Sequence, residues 1–116
     1  MGLRDKLRNL GSDTQVMEKD RLANRYAGVC DCTIGEAPLR VRTRVAGEIT
    51  SIRVVPRAGS PSLEVNVNDG TGLAVAIFTG RRSIPGVTPG KGIALEGVAR
   101  AQRNHKVLLN PAYTLI

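Results

Sequence analysis

The chain has 116 residues, and its 17 Lys and Arg against 10 Asp and Glu give a formal charge of +7. Its 41% hydrophobic content is enough for one small core, which excludes global disorder, and the longest stretch without a charged residue, Gly70–Gly80, is far shorter than the roughly 20 apolar residues of a membrane span. Met1 is followed by charged residues rather than by the apolar stretch of a secretory signal, so we expect a cytoplasmic protein without a membrane segment.

Residues 1–35 are predicted to form a helical extension and linker. Three leucines at helical spacing predict a first short amphipathic helix: Leu3, Leu7 and Leu10. Ser12 and Gln15 have the spacing of a capping box, so a second helix is predicted from Asp13 to about Tyr26. Helices this short are marginal in water, and docking on the main domain or on a partner would have to hold them.

Residues 36–116 form the second predicted unit, in which the hydrophobic period changes to two and β-branched residues become common. Gly47 is expected to bend the first strand by a bulge or kink. The Asp69–Gly72 segment has the residues of a tight hairpin, and Gly80–Gly90 forms a crossover. Five strands are predicted: Leu39–Val55, Ser62–Asn68, Leu73–Thr79, Gly92–Ala101 and Lys106–Ile116.

Five strands with one long crossover favour a small closed antiparallel barrel, because closure removes the sheet edges that invite pairing with other chains. An immunoglobulin-like sandwich would need about seven strands and normally a core Trp. The chain contains no Trp. The fold class predicted from the sequence is therefore all-β.

Several segments of this predicted barrel resemble the five-stranded Greek-key OB-fold, and specifically the actinobacterial single-domain OB-fold nucleic-acid-binding proteins. The wedge domain of a branch-migrating DNA helicase and the nucleic-acid-binding domain of bacterial replicative polymerases are similar at a greater distance. The similarity covers about two thirds of the chain. It is carried by Val45–Ile49, Asp69–Gly72, Gly80–Gly90, Glu96-Gly97 and Leu109–Tyr113.

The resemblance implies that single-stranded or junction nucleic acid binds across the second and third strands, between the one-two and four-five loops. DNA is favoured over RNA. The basic excess agrees with a polyanionic partner, and no membrane is expected because the cations are spread along the chain. The alternative is a protein adaptor that uses the N-terminal helices, with the barrel as scaffold.

Candidate contacts follow from this placement. Phosphate contacts are expected from cations in or beside the loops: Arg53, Arg57, Arg81, Arg82, Arg103, His105 and Lys106. Asn66 and Asn68 are expected to point outward when Leu63, Val65 and Val67 face the core, although Asn68 has the alternative role of shaping the turn.

Phe78 is the candidate for stacking on a base. It faces outward if Leu73, Val75 and Ile77 face the core, and the opposite parity buries it. Tyr113 is expected to close the barrel. Because so few aromatic rings are present, binding is predicted to be weak, salt-sensitive and driven largely by phosphate contacts.

The sequence contains no pattern typical of an enzyme. The single histidine, His105, lies in a polar loop, and Gly80–Gly90 lacks the Gly-Lys-Ser/Thr of a phosphate-binding loop. Cys30 and Cys32 are too few for a zinc site, which normally takes four Cys or His ligands, and a disulfide across one residue would be strained, so free thiols are expected. We predict a non-enzymatic protein without cofactor or metal.

Overall fold

A computed structural model of the protein describes residues 26–116, which form an all-β domain, as predicted. The two predicted N-terminal helices lie outside the described residues except for Tyr26. A 3-10 turn, Ala27–Val29, and a series of turns precede the first strand. The strands are β1 (Arg42–Arg57), β2 (Ser60–Asn68), β3 (Leu73–Thr79), β4 (Gly92–Gln102), β5 (His105–Leu109) and β6 (Ala112–Leu115).

Five of these strands pair in a closed cycle. The order is β1-β2-β3-β5-β4, and β4 returns to pair with β1. All neighbours are antiparallel except β3 and β5, which run parallel from the Ala74–Lys106 pair to the Ile77–Leu109 pair. The sheet is therefore barrel-like, with an inner face and an outer face.

The last predicted strand is divided in two, because Asn110 and Pro111 interrupt it. Asn110 has a φ of 48°, and Pro111 has no N–H to donate to a ladder. The Asn110 side chain instead accepts a hydrogen bond from the backbone N–H of Thr79 at 2.9 Å. β6 then continues along β4, from the Glu96–Ala112 pair to the Ile93–Leu115 pair.

β1 is long because its two halves have different partners. Arg42–Glu48 pairs with β4, and Glu48–Arg57 pairs with β2. The bulge predicted at Gly47 was misplaced, since the register shift lies between Ile49 and Ser51. Gly47 instead allows the backbone of β1 to approach that of β2 closely, because a Cβ there would lie 2.7 Å from the carbonyl oxygen of Asn68.

The core fills the inside of the sheet. Leu63, Val65 and Val67 of β2 face it, as their alternation predicts. Ile84 and Val87 of the crossover also belong to this core, so the crossover covers part of the barrel interior. A second, smaller cluster lies apart from it, where Tyr26 packs against Ala46 and Ala94.

The Asp69–Gly72 hairpin forms as predicted and is organised by one buried carboxylate. Asp69 Oδ1 accepts hydrogen bonds from the backbone N–H and the hydroxyl of Thr71 at 2.8 and 2.6 Å, and from the N–H of Gly72 at 3.3 Å. Asp69 Oδ2 accepts a hydrogen bond from the N–H of Ile34 at 2.8 Å. The carboxylate therefore joins the hairpin to the segment that precedes β1.

Within residues 26–116, the structure contains no helix with the length and apolar character needed to cross a membrane.

Candidate functional site

The outer face of β2, β3 and β5 carries an open groove, which we call the β2–β3 groove. Val75, Ile77 and Val107 form a packed apolar floor. Arg53 and Arg57 lie on the β1 side, whereas Gln102 and His105 lie at the β4–β5 turn. The volume is ≈ 570 Å³, and the remaining lining residues are Ser51, Glu64, Asn66 and Leu73.

Strand register explains why these residues meet. One row across the face joins Ser51 to Asn66, Asn66 to Val75 and Val75 to Val107. The next joins Arg53 to Glu64, Glu64 to Ile77 and Ile77 to Leu109. Because side chains alternate between faces along a strand, residues two apart fall on the same face, and the two rows form one surface.

The β1–β2 hairpin extends further than the sequence predicted. The loop expected over Pro56–Pro61 shrinks to a turn at Ala58 and Gly59, which have φ values of 49° and 81°. Positive φ at both central residues is typical of a type I′ turn, whose twist matches the flanking strands. Arg57 consequently lies in strand β1, opposite Ser60, with its position set by the ladder.

Arg53 is paired with an acidic residue of the groove. Its Nε and Nη2 donate to Glu64 Oε1 at 3.4 and 3.1 Å. The Arg53 side chain is 73% exposed and that of Glu64 only 12%. The guanidinium group thus remains open to solvent while the carboxylate lies low in the groove.

The two candidate asparagines have different roles. Asn66 lines the groove, and its Nδ2 donates to the Ser51 hydroxyl at 2.7 Å. Asn68 lies two pairs further along, where its Oδ1 accepts a hydrogen bond from the N–H of Gly70 at 2.7 Å. Of the two readings of Asn68, the structure therefore supports the turn-shaping one.

Arg103 and His105, at the β4–β5 turn, differ in the surfaces that they line. His105 lies in the β2–β3 groove and also borders a neighbouring depression beside the turn. Arg103 has a φ of 54° within the two-residue turn and lines only that depression, with Leu39 and Thr71 on its other side. Arg103 therefore lies near the end of the groove rather than within its lining.

Lys106 was expected to contact phosphate, but in the structure its ammonium group makes contacts within the fold. Its Nζ donates to the carbonyl oxygens of Ile34, Gly35 and Ala37 at 2.7, 3.1 and 2.7 Å. An ammonium group has three N–H donors, so these contacts use all of them. Lys106 is a structural residue that fastens the 34–37 segment to β5.

Arg81 and Arg82 are exposed, but the structure does not place them in the lining of the groove. They follow β3 directly, where the N–H of Gly80 donates to the carbonyl oxygen of Pro61 at 2.8 Å. His105 and Gln102 lie towards the opposite end of β3, beside Leu73. The candidate cations thus do not all converge.

Phe78 takes the buried alternative. It is 5% exposed and belongs to the main core with Ala74 and Ala76. Its ring meets the ring of Tyr113 edge to face, with centroids 5.6 Å apart, in agreement with a closing role for Tyr113. Phe78 therefore offers no ring face to a base, and the outer face of β3 presents Val75 and Ile77 instead.

Sequence reasoning missed the apolar floor and two polar groove residues, Ser51 and Gln102. The sequence left open which face of β3 carries Val75 and Ile77, and it did not predict that they line a groove. The available signal was that β3 is apolar at each of its first six positions, Leu73–Phe78. Such a strand has apolar side chains on both faces, so removal of its outer face from water is also favourable.

Cys30 and Cys32 are free thiols, as expected. The Cys30 Sγ–H donates to the carbonyl oxygen of Tyr26 at 3.2 Å. Burial raises the pKa of both thiols; for Cys30 the carboxylates of Asp69 and Asp31 add to this, and for Cys32 the charges of Cys30 and Asp31 do. Throughout the described part of the chain, no three His, Cys, Asp or Glu side chains are grouped to hold a metal ion.

Comparison of the sequence with protein-family models and with curated proteins finds no match.

Proposed function

We propose that this chain is a non-enzymatic OB-fold protein that binds single-stranded nucleic acid in the β2–β3 groove. The observation that carries the proposal is the groove itself, which combines an apolar floor with Arg53 and Arg57 on one side and His105 on the other. The cyclic strand order, with its crossover between β3 and β4, supports the assignment to the OB-fold, whose second and third strands are its usual binding face.

The chemistry of the groove suits a single strand better than a duplex. A single strand exposes both the flat faces of its bases and its phosphates, whereas a duplex hides the base faces. Val75, Ile77 and Val107 lie on the outer face but are only 7%, 4% and 7% exposed, so a base in the groove meets a small apolar area there, while Arg57 and Arg53 reach phosphates. Asn66 offers its side-chain carbonyl and its second amide N–H to a base edge, because only one of its two N–H groups donates to Ser51.

The aliphatic character of the groove floor limits the expected affinity for nucleic acid. Aromatic stacking contributes about 1–3 kcal/mol per base in proteins that use it, and an aliphatic floor lacks this contribution. We therefore expect weak binding dominated by phosphate contacts. Neutralising about three to five phosphates of a single strand gives a slope of about −2 to −4 in a plot of log affinity against log salt.

Fluorescence anisotropy with matched single-stranded DNA, single-stranded RNA and duplex probes, at two salt concentrations, tests the proposal. Both single strands should bind more tightly than the duplex, and affinity should fall steeply as salt rises. Tighter binding of the duplex would contradict the groove assignment, and absence of binding to all three probes would remove the proposed function.

One pair of variants locates the site. Arg57→Gln and Arg82→Gln each remove one exposed charge, but only Arg57 lines the groove. Loss of a phosphate contact in Arg57→Gln should weaken binding about tenfold for all sequences alike and reduce the salt slope by about one. Arg82→Gln should have a smaller effect, and equal losses would indicate long-range attraction without a defined groove.

A further inference from the structure

Glu64 is a carboxylate in a groove that we propose to hold a polyanion, where a negative charge opposes binding. The groove lies on the outer surface, but the Glu64 side chain is only 12% exposed. It lies between Arg53 of β1 and Ile77 of β3, its direct neighbours in the two ladders. Its position thus places an acceptor group beside the apolar floor.

Pairing with Arg53 does not by itself account for this carboxylate. An ion pair whose guanidinium group is 73% exposed contributes little to stability, because solvent screens it. Both hydrogen bonds from Arg53 go to Oε1, and within residues 26–116 Oε2 accepts none. A carboxylate offers about four lone-pair sites, two on each oxygen, and Arg53 uses the two of Oε1, so the unused acceptor capacity lies on Oε2.

The free acceptor sites of the Glu64 carboxylate can distinguish one base from another. A carboxylate accepts hydrogen bonds and donates none, so it needs donors on the base edge. The Watson–Crick edge of guanine carries two adjacent donors, N1–H and the 2-amino group, and both can donate to the free lone-pair sites of Oε2. Cytosine and adenine offer one amino group there, and the single N3–H of thymine or uracil lies between two carbonyl oxygens that repel a carboxylate.

We propose that Glu64 is a specificity residue that favours guanine in the bound single strand. This inference rests on the proposed function. A base in the groove above the largely buried Ile77 brings its edge beside Glu64, because directly opposed residues in a ladder have Cβ atoms about 5 Å apart. The favourable contact with guanine offsets the repulsion that the carboxylate exerts on phosphates.

The test uses fluorescently labelled DNA strands of about twelve nucleotides, a length that covers a single OB-fold site. One strand is all thymidine, and the others carry a single central guanine, inosine or cytosine. Guanine should bind about tenfold more tightly than all-thymidine, as expected of hydrogen bonds from one base to a charged acceptor. Inosine, which lacks the 2-amino group, should lose most of this gain, and cytosine should gain less than guanine.

Glu64→Gln should abolish the preference for guanine and tighten binding of the all-thymidine strand, because it removes a negative charge from the groove. Glu96→Gln is the matched control: Glu96 also pairs with an exposed arginine, Arg42, at 3.5 Å, but lies outside the groove.

Equal affinities of the wild-type protein for the guanine and thymidine strands would overturn the inference while leaving the proposed function intact. A preference for guanine that survives in Glu64→Gln would do the same. Failure of every strand to bind would overturn both.

Discussion

Lys106 Nζ lies 2.7 Å from the carbonyl oxygen of Ile34, a residue 72 positions earlier in the chain. The N–H of the same Ile34 donates to the Asp69 carboxylate at 2.8 Å. The peptide groups of Ile34 are thus held from β5 on one side and from the β2–β3 hairpin on the other. This arrangement makes Lys106 and Asp69 determinants of stability.

Lys106→Met should lower the free energy of unfolding by about 2 kcal/mol, because it removes the donor for three carbonyl groups, those of Ile34 and Ala37 in partly buried contacts. Urea unfolding followed by circular dichroism measures the change. Lys91→Met is the control, since Lys91 is exposed and only its backbone makes hydrogen bonds. Affinity for single-stranded DNA should fall less in Lys106→Met than in Arg57→Gln, and the reverse order would show that Lys106 contacts the ligand.

Asp69→Ala should destabilise the protein by about 3 kcal/mol, because it leaves the N–H groups of Ile34 and Thr71 without their acceptor. The side chain is 3% exposed, so water cannot readily replace it. Thermal unfolding compares this variant with Glu36→Ala, which removes an exposed carboxylate from the neighbouring segment. A melting temperature equal to that of Glu36→Ala would contradict the role assigned to Asp69.

Gly47→Ala should cost about 2 kcal/mol through overpacking. The added Cβ would lie 2.7 Å from the Asn68 carbonyl oxygen and 2.9 Å from its carbonyl carbon, both backbone atoms that cannot move without disturbing the β1–β2 pairing. Gly28→Ala provides the comparison, since a Cβ at Gly28 meets no atom within 4 Å. Chemical denaturation of both variants measures the difference, and equal midpoints would show that β1 adjusts freely.

Cys30 and Cys32 should react slowly with iodoacetamide at neutral pH in the folded protein. The thiolate is the reactive form, and a raised pKa reduces its fraction at any pH below that pKa. The rate should therefore rise as the pH increases through the raised pKa, and it should be higher in urea, where the pKa returns to its ordinary value. Mass spectrometry of alkylated protein measures both rates, and faster labelling in the folded state would contradict the direction of the shift.

Much of the fold could be predicted because it depends on local pattern. β3 has the predicted bounds, and β2 and β4 differ from their predictions by at most two residues at either end. Alternation along β2 identified Leu63, Val65 and Val67 as core residues, and Asp69–Gly72 has the composition of a hairpin turn. Each of these features is set by neighbours in sequence, so a single chain reveals it.

The orientation of β3 could not be predicted in this way. Every residue from Leu73 to Phe78 is apolar, so no contrast in polarity distinguishes its two faces. Parallel pairing with β5 places Val75 and Ile77 against Val107 on the outer face and leaves Ala74, Ala76 and Phe78 inside. The choice therefore depends on residues about 30 positions apart in the chain.

The sequence alone determined the all-β class, the bounds of β1 to β4 to within three residues and the excess of basic side chains, because these follow from local periodicity and composition. Only the tertiary structure decided which cations have partners. The Lys106 ammonium group donates to backbone carbonyl oxygens, and the Arg53 guanidinium group forms an ion pair with Glu64. Arg57 lines the groove and has neither kind of partner among residues 26–116. These differences arise from contacts between segments distant in sequence, which local pattern does not encode.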